Sequence, residues 1–112
     1  MKKKGKDWLA FLCLFLLVSF FAHAQTTEIQ GKVTSPEGEP LPGVGVILSS
    51  PNLIGGDQSR ITDSEGKFRF VALLPGTYSV EAKLQGFTPQ KHSDLRLSQG
   101  KTLTVDFALE IA

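Results

Sequence analysis

Beyond residue 24 the chain has no cysteine, no tryptophan and no methionine, and its only histidine there is His92. That excludes a disulfide framework, a thiolate nucleophile and a zinc site built from several Cys or His ligands. Positive charge is scarce as well. Residues 25–112 carry eight basic and ten acidic side chains, with no basic stripe of the kind that tracks a nucleic-acid backbone. No segment there repeats with a helical period. A chain this short forms one small domain that buries about 60–65% of its unfolded surface, which leaves little room for a deep catalytic cleft.

Long apolar character is confined to the first residues. Lys2, Lys3, Lys4 and Lys6 precede an uncharged run from Trp8 to Ala22, and Ala22-His23-Ala24 follows with small residues at both positions a signal peptidase reads. The pattern predicts an export signal over 1–24, cleaved before Gln25, and a mature domain over 25–112. The apolar run is shorter than the roughly 20 residues a spanning helix needs. Cys13 lies in mid-run behind Phe11 and Leu12, so it is an apolar filler and no lipid-attachment site.

The remainder reads as short strands broken by turns. Ile29, Gly31 and Val33 alternate with Gln30 and Lys32 as a first strand. Pro36 to Gly43, with three prolines, cannot continue it. Val44, Val46 and Leu48 form a second strand, Ser50 to Ser59 a loop, and Arg60 to Thr62 a short third strand. Asp63-Ser64-Glu65-Gly66 is a tight turn in which Asp63 accepts a backbone hydrogen bond. Phe68 and Phe70 share one face of a fourth strand. Tyr78, Val80, Ala82 and Leu84 alternate through a fifth, Leu95 and Leu97 mark a sixth, and Leu103 to Leu109 a seventh. Seven strands, each apolar on one face, must pack as two sheets. Phe68, Phe70, Tyr78 and Phe107 supply the aromatic core. The Tyr78 hydroxyl is expected to bond a backbone group near the Pro75-Gly76 turn.

Four stretches, taken in order, resemble the carboxypeptidase regulatory-like domain. They are GKVTSPEGEPLPGVGV (31–46), TDSEGKFRF (62–70), LLPGTYSVEA (73–82) and Gly86-Phe87. The resemblance implies an all-β, seven-stranded Greek-key β-sandwich of the prealbumin or transthyretin-like kind, also classed with carbohydrate-binding-like folds. Such domains accompany metallocarboxypeptidases as non-catalytic modules. They also stand at the amino terminus of TonB-dependent outer-membrane receptors, directly after the signal peptide.

Candidate chemistry is sparse. His92 has Ser93 and Asp94 beside it, but neighbours on a strand point to opposite faces, which argues against a triad. No HExxH segment is present, so the family name carries no peptidase activity. Asp63-Ser64-Glu65-Gly66 imitates part of a calcium loop, yet Ile61 and Ala72 stand where two carboxylates are required. An isopeptide bond between Lys32 and Asp106, with Glu81 between them, fails because both residues alternate out of phase with the core. Sugar modules present an exposed flat aromatic, and Phe87 is the one aromatic that alternation leaves outside the core. It is the candidate ligand contact.

The reading is an exported, non-enzymatic β-sandwich module of the periplasm or outer-membrane face, or secreted, with no cofactor and no catalytic or metal residue. Its partner is an envelope or outer-membrane protein, or a glycan. Loops 50–59 and 36–43 and any bare edge strand are the expected contact surfaces. Two alternatives stand beside it: a carbohydrate-binding module, and a truncated receptor fragment with no function of its own.

Overall fold

A computed structural model describes residues 26–112; the expected export signal lies outside them. The described chain is all strand and turn. Strands run β1 (Glu28–Thr34), β2 (Gly45–Ser49), β3 (Gln58–Ile61), β4 (Lys67–Phe70), β5 (Gly76–Lys83), β6 (Gln90–Leu97), β7 (Thr102–Thr104) and β8 (Phe107–Ala108). One sheet has the order β4-β1-β7, with β8 also paired to β1, and the other β3-β2-β5-β6. Their inner faces enclose Ile29, Val33, Val46, Leu48, Phe70, Tyr78 and Val80, all 0–1% exposed. The expected two-sheet packing and aromatic core are present. The strand count is eight, because the expected last strand divides at Val105-Asp106.

The division has a steric cause at Gly31. β1 and β7 are parallel, with Ile29 opposite Leu103, and the same register resumes where Val33 meets Phe107 of β8. Between these stretches the Val105 backbone closes on Gly31. A Cβ built there would overlap the Val105 carbonyl oxygen and come within 2.7 Å of the Phe68 ring. With that carbonyl turned over Gly31, the Lys32 N–H donates to Asp106 Oδ1 at 3.0 Å. A side chain thus stands in for a missing ladder acceptor.

The chain enters and leaves at opposite poles. At the amino-terminal pole Thr27 is buried, its carbonyl accepting from Leu73 N–H and its hydroxyl from Gly100 N–H. At the other pole the final residues cross the β5–β6 connection, with Thr88 N–H on Glu110 O and Ala112 N–H on Gly86 O.

Both lateral rims are covered by polar side chains that point inward. Arg60 of β3 pairs with core Val46 and lays its guanidinium 5.3 Å from the centre of the Phe70 ring. On the opposite rim His92 of β6 pairs with core Val80 and packs 4.8 Å from the Phe107 ring centre at a tilt of 49°, while Gln90 Nε2 donates to Ala108 O at 2.6 Å. Inward-pointing polar groups on edge strands discourage pairing with a second chain.

Replacing Gly31 by Ala places a methyl group on backbone that cannot yield without parting β1 from β7. Gly31→Ala is expected to cost more than the roughly 1–3 kcal/mol of ordinary overpacking. Gly38 has positive φ but open space around it, so Gly38→Ala costs only the strain of that backbone, about 1–2 kcal/mol. Urea denaturation of the two variants compares them directly; equal stabilities would show that the Val105 backbone can move aside.

Candidate contact surfaces

The turn at Asp63 is built from one carboxylate oxygen. Asp63 Oδ1 accepts the N–H groups of Glu65 and Lys67, each at 2.9 Å. The Lys67 N–H, followed by that of Glu65, holds the Asp63 carboxyl below its ordinary value. Its contribution to stability is complete above the ordinary carboxyl pKa and is lost as pH falls through the lowered one. The resemblance to a calcium loop is therefore a backbone turn. Among the described residues no group of three or more His, Cys, Asp or Glu side chains gathers as a metal-binding set.

Next to this turn lies a groove of about 610 Å3, lined by residues of the first sheet and by Arg60 and Ile61 of β3. Lys32, Lys67, Arg69, Arg60, Asp63 and Asp106 supply its charges. Most of these groups are engaged. Arg69 clasps buried Glu28 through Nη2 at 2.8 Å and Nε at 3.3 Å, Lys67 pairs with Glu65 at 3.0 Å, and Arg60 rests on Phe70. A smaller depression of about 400 Å3 lies at the amino-terminal side of the second sheet, lined by hydroxyls and by Asp57 and Asp94.

The residues singled out from sequence are scattered. His92 is exposed and faces Phe107, so its ring is opposed by carbon. Glu81 is on β5 of the second sheet, 3.3 Å from Lys83 Nζ. Lys32 and Asp106 belong to the outer side of the first sheet, so Glu81 is not between them as sequence order suggested. Phe87 is half-buried, packs on the core and bridges Ile111 at the carboxy-terminal pole. Loop 50–57 meets the amino-terminal pole, where Ser50 Oγ donates to Thr77 O at 2.7 Å. The proline-rich turn meets the other pole, where Leu41 N–H donates to Val33 O. The two expected contact loops therefore do not form one surface. Sequence reasoning missed Thr62, whose buried hydroxyl accepts from Val44 N–H at 2.9 Å and donates to Leu41 O at 2.7 Å. No local pattern marks that role.

Residues 28–110 match the carboxypeptidase regulatory-like domain family. Over 95 residues the chain is 34% identical to the TonB-dependent transporter Oar of Myxococcus xanthus; the match covers 84% of this chain and spans 9% of that relative's length. A streptococcal ancillary pilin superposes with TM-score 0.61 at 18% identity, over 80% of this chain and 34% of the pilin. A putative carbohydrate-binding protein from Bacteroides uniformis superposes with TM-score 0.57 at 20% identity, over 73% of this chain and 40% of that one. Dioxygenases share the architecture at 13% to 16% identity, a likeness of fold alone.

Tyr78 is the chain's only tyrosine. Its ring is buried and its hydroxyl donates to Leu74 O at 2.6 Å, the bond expected from the turn beside it. Burial raises its pKa, against a smaller opposing effect of that bond. A raised folded-state value means that this stabilisation is complete below about 10, the unfolded value, and is lost as pH rises through the folded one. Phenolate absorbance reports on this residue alone, and its midpoint is expected above that of free tyrosine. A midpoint at the free value would place the ring in water.

Proposed function

The chain belongs to the carboxypeptidase regulatory-like domain family, and from that premise we propose that it is an exported, non-catalytic accessory domain of the cell envelope. In this proposal it is related to the amino-terminal domain of a TonB-dependent receptor and works by contact with an envelope or outer-membrane protein. The observation that carries the reading is the 34% identity to a TonB-dependent transporter over most of this chain. The candidate export signal at 1–24 supports delivery to the periplasm. The side chains support contact over catalysis: the one histidine beyond residue 24 packs against Phe107, and Asp63 and Asp106 are engaged with backbone N–H groups. Among the described residues no helix is long and apolar enough to cross a membrane.

Fractionating native cells and taking the intact mass of the protein tests this reading. The expected species begins at Gln25 and partitions with the envelope. A cytosolic species that retains residues 1–24 would overturn it.

A second reading, a carbohydrate-binding module, draws on the Bacteroides uniformis neighbour. Phe87 is its proposed contact, by the part of the ring that the core leaves uncovered. It requires glycan-array binding that Phe87→Ala abolishes, and a blank array removes it.

A further inference from the structure

The first and last strands lie side by side and point the same way. β1 begins at the amino-terminal pole, β8 ends at the opposite one, and the parallel register holds from Glu28 opposite Thr102 to Thr34 opposite Ala108. Tension applied at the two ends of the chain would drag β1 one way and β7–β8 the other. The strands could part only by sliding, which loads every bond between them together. Peeling would load the same bonds one after another.

The bonds across this seam run its full length. Glu28 N–H donates to Lys101 O at 3.0 Å, Val105 N–H to Gln30 O at 2.7 Å, and Leu109 N–H to Thr34 O at 2.9 Å. At the centre, where the Val105 carbonyl is turned away, the Asp106 carboxylate takes the Lys32 N–H. Side chains lock the same seam against sliding. Val105 and Phe107 are buried, and the Val105 backbone lies in the recess left by Gly31. Beyond β8 the tail is tied to the β5–β6 connection through Glu110 and Ala112.

We infer that this domain is a tension-bearing link, with β1 and β7–β8 as a shear clamp between its ends. The function goes beyond the accessory role proposed above and does not rest on it, because the clamp belongs to the domain in whatever polypeptide it stands. In a longer chain the domain would lie in series between the segments on either side of it, and would pass a pull along its length without opening. Asp106 is the clamp's replaceable component: exposed to solvent, yet closing the gap in the ladder.

Single-molecule pulling on the full 112-residue chain tests this. With Cys13 changed to Ser, handles at the two termini load the clamp in shear. A handle that pulls on β1 through the segment before Thr27 and another at Gln99→Cys load β1 and β7 from one pole of the described domain and peel them apart. Rupture is expected at a several-fold higher force in the first geometry at equal loading rate. Asp106→Ala should lower the shear force and leave the peeling force nearly unchanged, while Asp106→Asn, which keeps an acceptor oxygen, restores most of it. Equal forces in the two geometries, or a shear force indifferent to Asp106→Ala, would overturn the clamp. Neither result bears on export or on the envelope reading, which fail on the mass and fractionation of the native protein.

Discussion

The Val105 backbone rests against Gly31 Cα, and that approach lets a strand from the end of the chain run beside the strand that begins the fold. β1 is central in its sheet, with β4 on one side and β7–β8 on the other. Its second neighbour is joined to it only through the whole intervening sequence. Closing so long a loop costs conformational entropy before any contact repays it. Folding that depends on such pairings is slow relative to folding from local contacts. The hairpins β2–β3 and β5–β6 and the Asp63 turn are local by comparison. Completion of the first sheet is the step that unites the chain, and it passes through a position where only hydrogen fits.

A small sandwich also has to keep its rims from pairing with other chains. Here the problem is met by polar groups turned inward. Arg60 and His92 each face a phenylalanine of the opposite sheet, and Gln90 reaches across to a β8 carbonyl. The β5–β6 pairing is further irregular between Tyr78 and Val80, where Asp94 of β6 takes a φ of 56° opposite the register shift. A bulge of this kind bends an edge strand and spoils it as a template. Arg60 and His92 can face inward because the ring faces they cover tolerate cationic or aromatic groups.

Where alternation was regular, the sequence was enough. Phe68 with Phe70, and Tyr78 with Val80 and Ala82, were readable as inward pairs and are buried. The Asp63 turn and the Tyr78 hydroxyl bond were also legible, because both are local and arise from residue chemistry beside a turn. Failures came where parity was reset. In β3 the apolar Ile61 is 72% exposed while Arg60 points inward, the reverse of the rule that apolar residues face the core. In β6 the bulge puts His92, and not Ser93, on the side of Val80. The split of the last strand depends on the pairing of Gly31 with Val105, two residues that nothing local connects. Sequence order likewise held no sign that loops 50–57 and 36–43 stand at opposite poles.

Among the described residues, the need to satisfy backbone groups, near in sequence and far, takes up several of the polar side chains. Several polar side chains act as substitutes for backbone partners, whether or not the sequence marks them. Asp63 takes two N–H groups at a turn, Asp106 takes one in a broken ladder, Thr62 bridges an N–H and a carbonyl, and Tyr78 closes onto Leu74. A strand-rich domain with this many turns and interruptions leaves many backbone groups without ladder partners, and buried ones must be satisfied. A group engaged in that way is poorly placed to move a proton or hold a substrate, since doing so would release the backbone it secures. What the fold keeps available is shape, exposed loops at two poles and a first-to-last seam. Those are the attributes on which the proposed contact role and the inferred tension-bearing role both draw.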